Sequence, residues 1–172
     1  WAKRSVQKIY LAWLDGIFAN AGTVSLRLEH DPKTKKRMRV APPSSKTGWD
    51  TSTSISPILH GLQHTLALIQ IHTGVTHQIR ATVAAFGTPV VGDNIYSPPK
   101  KSVFAKLHGL TQEQNHTFHV LKNKLKCTDW AEPQTTPGDG GFFLHALYLA
   151  LPEPYDEAFF LTPPKYFKRS DG

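Results

Sequence analysis

The sequence predicts an α+β fold, a mixed and mainly antiparallel β-sheet with a few flanking helices. Three observations point there. Most segments with structural character are short runs of β-branched and aromatic residues bounded by glycine and proline. One central segment carries helical apolar spacing between start and stop signals. No internal repeat or strand–helix–strand rhythm occurs along the chain. At 172 residues, 40% hydrophobic and 10% aromatic, the chain is long enough to bury a core as one unit or as a large part of a bigger domain.

The elements follow in order. VQKIYLAWL, residues 6–14, is rich in β-branched and aromatic residues and leaves through Asp15-Gly16, as a strand entering a turn does. TVSLRLEH, residues 23–30, alternates Val24, Leu26 and Leu28 with Ser25, Arg27 and Glu29, the pattern of a half-buried strand. A basic hairpin loop and a short return at Met38 to Ala41 follow. Thr51 to Ser56 and HTLALIQIHT, residues 64–73, read as a strand pair in the middle of the domain. Residues 97–141 hold most of the loose polar sequence, including SPPKK and EPQTTPGDGG. They are expected to form a variable, partly helical insertion, with Val103 to Leu110 and Thr117 to Leu125 as its helices. FFLHALYLALP, residues 142–152, is a further strand, with Ala158 to Leu161 as its partner.

Composition narrows the function classes. No apolar run approaches membrane-spanning length and no charged-then-apolar leader is present, so a soluble chain is expected. Because it begins with Trp1, it is expected to be processed or a piece of something longer. The single cysteine, Cys127, allows neither an internal disulfide nor a thiolate zinc ribbon, which fits an intracellular, reducing compartment. The formal charge is +7, with a concentration in KTKKRMR, where Lys33, Lys35, Lys36, Arg37 and Arg39 are basic. Such a patch suits a polyanion, RNA above all, although charge runs are often only solvated surface. His60 with His64, and His72 with His77, have spacings that could suit a metal, but the first pair lacks an adjacent glutamate and has Pro57 and Gly61 against a helix; no metal is expected.

The densest segment is HTGVTHQIRATVAAFGTPVVGD, residues 72–93. Thr76 suits a helix N-cap, Gly87 a left-handed C-terminal position, and Pro89 stops continuation, which places a helix at about residues 76–86. Ile79, Val83 and Phe86 give one apolar stripe. His77 and Arg80 fall on another face. An arginine in a first turn opposes the helix dipole, so it needs an anion nearby. That anion is a carboxylate or a phosphate, both matched by a planar guanidinium, or else the arginine is a packing bridge to an acidic neighbour.

H-T-G-V-T-H-Q-I-R followed by G-T-P-V-V-G-D-N-I-Y resembles the T-G-R-T-H-Q-I-R and G-x-P-(I/V)-(V/L)-G-D-x-x-Y signatures of RluA-type RNA pseudouridine synthases. Gln7-Lys8-Ile9-Tyr10-Leu11-Ala12 with Gly16 resembles the family's K-x-Y-x-A-x-x-x-G strand. Leu144-His145-Ala146 resembles its late L-H-A strand, and Thr162-Pro163-Pro164 with Tyr166-Phe167 its C-terminal tail. The resemblance implies that residues 1–172 are the C-terminal portion of one catalytic domain. It implies isomerisation of uridine to pseudouridine in structured RNA, rRNA or tRNA, with no cofactor. Tyr10 would stack on the flipped base and help take its C5 proton, and Arg80 would pair with the catalytic aspartate. His77, Gln78, Gly92, Asp93, Tyr96 and His145 would be structural members of the motifs.

The departures matter as much. The family's H-R-L-D-x-x-T-S-G motif, with the catalytic aspartate, is absent, and no other aspartate replaces it convincingly: Asp15 reads as a turn residue, Asp31 precedes Pro32, and Asp93 belongs to the Gly-Asp turn. Arg80 is therefore expected to find its carboxylate outside this chain, in an N-terminal segment of the same protein. Val75 stands where the family usually has arginine, and Ala81-Thr82 replace a usual Val-His pair. Two readings remain: part of an active synthase, or a catalytically inactive RNA-binding component of a ribonucleoprotein or of ribosome assembly.

Overall fold

The computed structural model describes residues 6–96, 106–126, 128–133, 142–151, 158–163 and 167, with Lys35 by its backbone alone. Seven strands form one sheet: β1 (Gln7–Asp15), β2 (Gly22–Asp31), β3 (Thr34–Val40), β4 (Trp49–His60), β5 (His64–Ile71), β6 (Leu144–Ala150) and β7 (Ala158–Phe160). Their order is β3-β2-β4-β5-β1-β6-β7, and every pairing among the described residues is antiparallel. Two helices, α1 (Gln78–Ala85) and α2 (Gln112–Leu125), complete the fold. Neither is long and apolar enough to cross a membrane.

β1 lies between β5 and β6, and Ile9, Leu11, Ala12, Trp13 and Leu14 are fully buried. A strand covered on both faces reads as a continuous apolar run, which is why residues 6–14 do not alternate. Its side chains still divide by period two. Ile9, Leu11 and Trp13 join Leu66 and Leu68 under Phe118, Leu121 and Leu125 of α2. Ala12 and Leu14 join Ala67 and Ile69 beneath Ile79 and Val83 of α1. The sheet thus has an α1 face and an α2 face, each with its own core. A third cluster, Leu28, Met38, Ala81 and Tyr96, extends the α1 face towards the β3 edge.

Several expectations change. The basic run is not a loop but mostly strand: only Pro32 and Lys33 turn, and β3 begins at Thr34. Charged side chains are tolerated there because β3 is an edge strand with one neighbour, where lysine also discourages unwanted pairing. β4 runs through Pro57 because that residue lies at a register shift and beyond the last residue paired with β2, so no second neighbour requires its missing N–H. Of the Val103 to Leu110 helix, 103–105 lie outside the described residues, and 106–110 are not helical; His108 bridges to Thr23 instead. α2 starts five residues before Thr117, because Thr111 and Gln114 form a reciprocal capping box. His60 and His64 end β4 and begin β5; His60 bonds the Phe18 carbonyl and His64 the Glu132 carboxylate. Cys127 lies outside the described residues.

Candidate active site

α1 begins differently from its expected form. Thr76 is not its cap: the N-cap is His77, in a left-handed conformation with φ 54°, and it makes no capping side-chain bond. His77 is the only non-glycine residue with positive φ among those described, a conformation costing about 1 kcal/mol or more unless its surroundings impose it. Gln78 imposes it. Its side-chain amide donates to the Ser52 carbonyl and to Thr53 Oγ1, both at 3.0 Å, and its oxygen accepts from Thr73 Oγ1 at 2.8 Å and the Val75 amide at 3.2 Å. One buried side chain therefore clamps the turn before α1 to β4. At the other end Gly87 has φ 79° and its amide bonds the Ala84 carbonyl, as the spacing predicts.

Arg80 has a carboxylate partner within the chain, contrary to expectation. Its Nε donates to Asp93 Oδ2 and its Nη2 to Asp93 Oδ1, both at 2.7 Å. Asp93 is fully buried, and Oδ1 also accepts from the Ile95 and Tyr96 amides at 3.1 and 3.3 Å. Gly92, with φ 84°, turns the backbone so that this carboxylate points back to α1. Asp93 is a turn residue, as its sequence context suggests, and also the counter-charge that makes a first-turn arginine tolerable.

The third guanidinium nitrogen reaches His77. Arg80 Nη1 lies 3.1 Å from His77 Nε2 and can only donate, so Nε2 accepts. The proton of the neutral ring is then on Nδ1, which donates to Tyr96 Oη at 3.3 Å. The Met38 amide donates to the same hydroxyl at 2.8 Å. Burial, then the Arg80 charge, push the His77 pKa down against the pull of Asp93, in keeping with a neutral ring. Burial raises the Tyr96 phenol. Asp93, Arg80, His77, Tyr96 and the β3 backbone thus form one chain of bonds. The Arg80 guanidinium also lies 5.1 Å from the Tyr96 ring centre and 4.5 Å from that of Phe142, a residue that no sequence motif singles out.

Tyr10 is half-buried on β1 and packs with Phe142 and Leu144 against the α1-side core. Directly opposite it on β6, Ala146 is exposed, so the sheet beside the phenol is open. Tyr10 and Arg80 therefore share a face, on which Phe142 also packs and meets the guanidinium. His145 does not share it: it pairs in register with Leu11 and faces the α2 side near Phe167. Burial lowers its pKa, opposed by backbone hydrogen bonds at Leu161 and Thr162, and its Nε2 has no partner among the described residues.

The basic residues of β3 and its turn have different surroundings. Arg39 bonds Glu29 at 2.7 Å, and Ser45, then Arg39, hold that carboxyl below its ordinary pKa. Arg37 lies 5.2 Å from the Tyr96 ring centre. Lys33 and Lys36 are exposed, while the Lys35 side chain is outside the described atoms. Among the described residues no group of three potential metal ligands occurs.

The family model described as "RNA pseudouridylate synthase" matches residues 1–85. The chain is 30% identical over 122 residues to ribosomal large subunit pseudouridine synthase D of Xylella fastidiosa, covering 67% of this chain and 36% of that protein. It is 31% identical over 124 residues to the dual-specificity RNA pseudouridine synthase RluA of Vibrio cholerae, covering 72% and 49%. The chain spans less than half the length of both relatives. A solved structure of human RNA pseudouridylate synthase domain containing 1 superimposes with a TM-score of 0.62 at 24% identity, over 95% of this chain and 56% of the human one. That likeness confirms the fold.

Proposed function

The chain belongs to the RluA-type RNA pseudouridine synthase family, and from that premise we propose that it is the C-terminal portion of an enzyme that isomerises uridine in rRNA, and in tRNA where the stem and loop fit. In this reaction the N1–C1′ bond breaks and the C5–C1′ bond forms; C5 loses a proton and N1 gains one, so no oxidant or cofactor enters the balance. The target base must leave its stack. The open sheet beside Tyr10 suits it, with the phenol against the base and Ala146 leaving room.

The observation that carries the reading is the donor count at Arg80. Three N–H groups go to Asp93 and His77, which leaves one on each terminal nitrogen of the five that a guanidinium has. Those two suit a second carboxylate, supplied by an N-terminal segment of the same protein. Arg80 would keep that aspartate ionised and oriented, and Asp93 would keep Arg80 in place. An RNA substrate suits an intracellular compartment.

Mapping pseudouridines in RNA from cells without the gene tests this. Specific sites should disappear and return with the wild-type gene but not with Arg80→Lys, whose fold is verified by its melting temperature. If no site disappears, the enzyme reading fails and the inactive RNA-binding component takes its place. Neutralising Lys33, Lys35 and Lys36 should make RNA affinity less dependent on salt, by about one counterion for each phosphate that a lysine had neutralised. An unchanged slope would make the hairpin plain surface.

A further inference from the structure

Beside His77, and lined by none of Tyr10, Arg80 and Phe142, lies a cavity that the uridine site does not use. It occupies about 380 Å³ and is lined by His30, Lys36, Met38, Thr76, His77 and Ile95. Met38 is buried at its floor, while His30, Lys36, Thr76 and Ile95 are exposed around it. The volume is at the lower end for small-ligand sites, and the lining follows their usual plan of apolar surface with few polar groups.

The chemistry of the lining selects the ligand. Both His77 ring nitrogens are engaged, one by Arg80 and one by Tyr96, so His77 offers the cavity its ring surface only. With Met38 and Ile95 it makes walls suited to a flat, polarisable ring. The polar groups at hand are the Thr76 hydroxyl and the His30 ring, which is held edge-on to Trp49 at 5.5 Å. Lys36 supplies one cation. A heteroaromatic ring carrying an anionic group satisfies all of these, and a carbohydrate or an uncharged lipid does not.

We infer that this cavity holds one unpaired nucleotide of the RNA next to the target, its base against Met38, Ile95 and His77 and its phosphate at Lys36. The inference rests on the RNA reading above. His77 would then be a wall common to two sites, since it also bonds Arg80, and occupancy of the cavity would hold the ring that orients the guanidinium. Single-stranded bases bind by stacking on such surfaces while cations track the backbone.

Met38, the only methionine of the 172 residues, provides a direct probe. In full-length protein labelled with ¹³C at the methionine methyl groups, Met38→Leu assigns its signal. Uridine and adenosine 5′-monophosphates, and a short single-stranded RNA, should shift that signal saturably; inorganic phosphate alone should not. Lys36→Ala should weaken nucleotide binding about tenfold. A Met38 signal that stays put while fluorescence anisotropy shows the RNA bound overturns the inference. So does a shift with free monophosphates but none with RNA, or equal affinity in Lys36→Ala. Pseudouridine formation assayed on the same preparations separates the two proposals. Turnover with an unmoved Met38 signal sinks the inference alone, whereas a shifted signal without turnover sinks the catalytic reading alone.

Discussion

The two faces of the sheet are closed by different means. On the α2 face, Phe118, Leu121 and Leu125 press on Ile9, Leu11, Trp13, Leu66 and Leu68, an apolar contact with a capped helix start and a few exposed or part-buried hydrogen bonds of Glu113 and Gln114 at its margin. On the α1 face a comparable stripe, Ile79 and Val83, lies beside a buried ion pair, a histidine in a left-handed conformation and a tyrosine in the same hydrogen-bond chain. A buried ion pair seldom stabilises more than well-packed apolar side chains of the same volume would. The second face therefore carries groups that the fold does not require, which is what a site for chemistry looks like.

The sharpest way to break this contrast is to remove one charge of the pair. Asp93→Ala leaves Arg80 buried with two donors unmatched, and should cost about 3–5 kcal/mol in urea unfolding while abolishing isomerisation. Retained turnover at reduced stability would mean that Asp93 only staples the turn. The counterpart on the other face is Phe118→Ala, which opens a cavity in the α2-side core and should cost about 3 kcal/mol. Its turnover per folded molecule should match wild type. If instead activity falls with Phe118 beyond the loss of folded protein, the two faces are coupled and the division fails.

How much of this contrast could be read beforehand differs between the faces. The apolar stripe of α1, the alternation of β2 from Val24 to Leu28 and the glycine exit at Gly87 are legible locally, and the structure keeps them; Glu29, expected on the polar side of β2, is buried instead. The oddity of Arg80 is also visible, because a first-turn arginine conflicts with the helix dipole whatever the fold. Its partner is not visible, since Asp93 reaches it across a turn and no periodicity links positions thirteen apart. His77 as the cap is a tertiary override: the preference of Thr76 for that place is weaker than the hold Gln78 has on Ser52 and Thr53. β3 looks like a loop because lysine and arginine have low strand propensity, and only its edge position reconciles that run with a ladder. Ala146 and Phe142 carry no signal of their own. Their importance comes from register, which puts one opposite Tyr10, and from ring packing, which puts the other under Arg80.

The smallest of these effects concerns how the segment after α2 is fastened to the sheet. The Glu132 carboxylate accepts from the amides of Leu62, Gln63 and His64 at the β4–β5 turn and lies 3.0 Å from His64 Nδ1. Burial works to raise its pKa, but the bonds from Gln63, Leu62 and His64 outweigh it and hold the carboxyl below its ordinary value. A carboxyl lowered in the folded state releases its proton more readily there than in the unfolded chain. Its stabilising contribution is thus complete above the ordinary carboxylate pKa and is lost as the pH falls through the lowered one. Glu132→Gln should cost about 1 kcal/mol at neutral pH, and the difference from wild type should shrink in acid as the native carboxyl protonates. Urea titrations of both proteins from neutral to acidic pH measure this. A difference constant with pH would assign the fastening to packing around residue 132 rather than to the carboxylate.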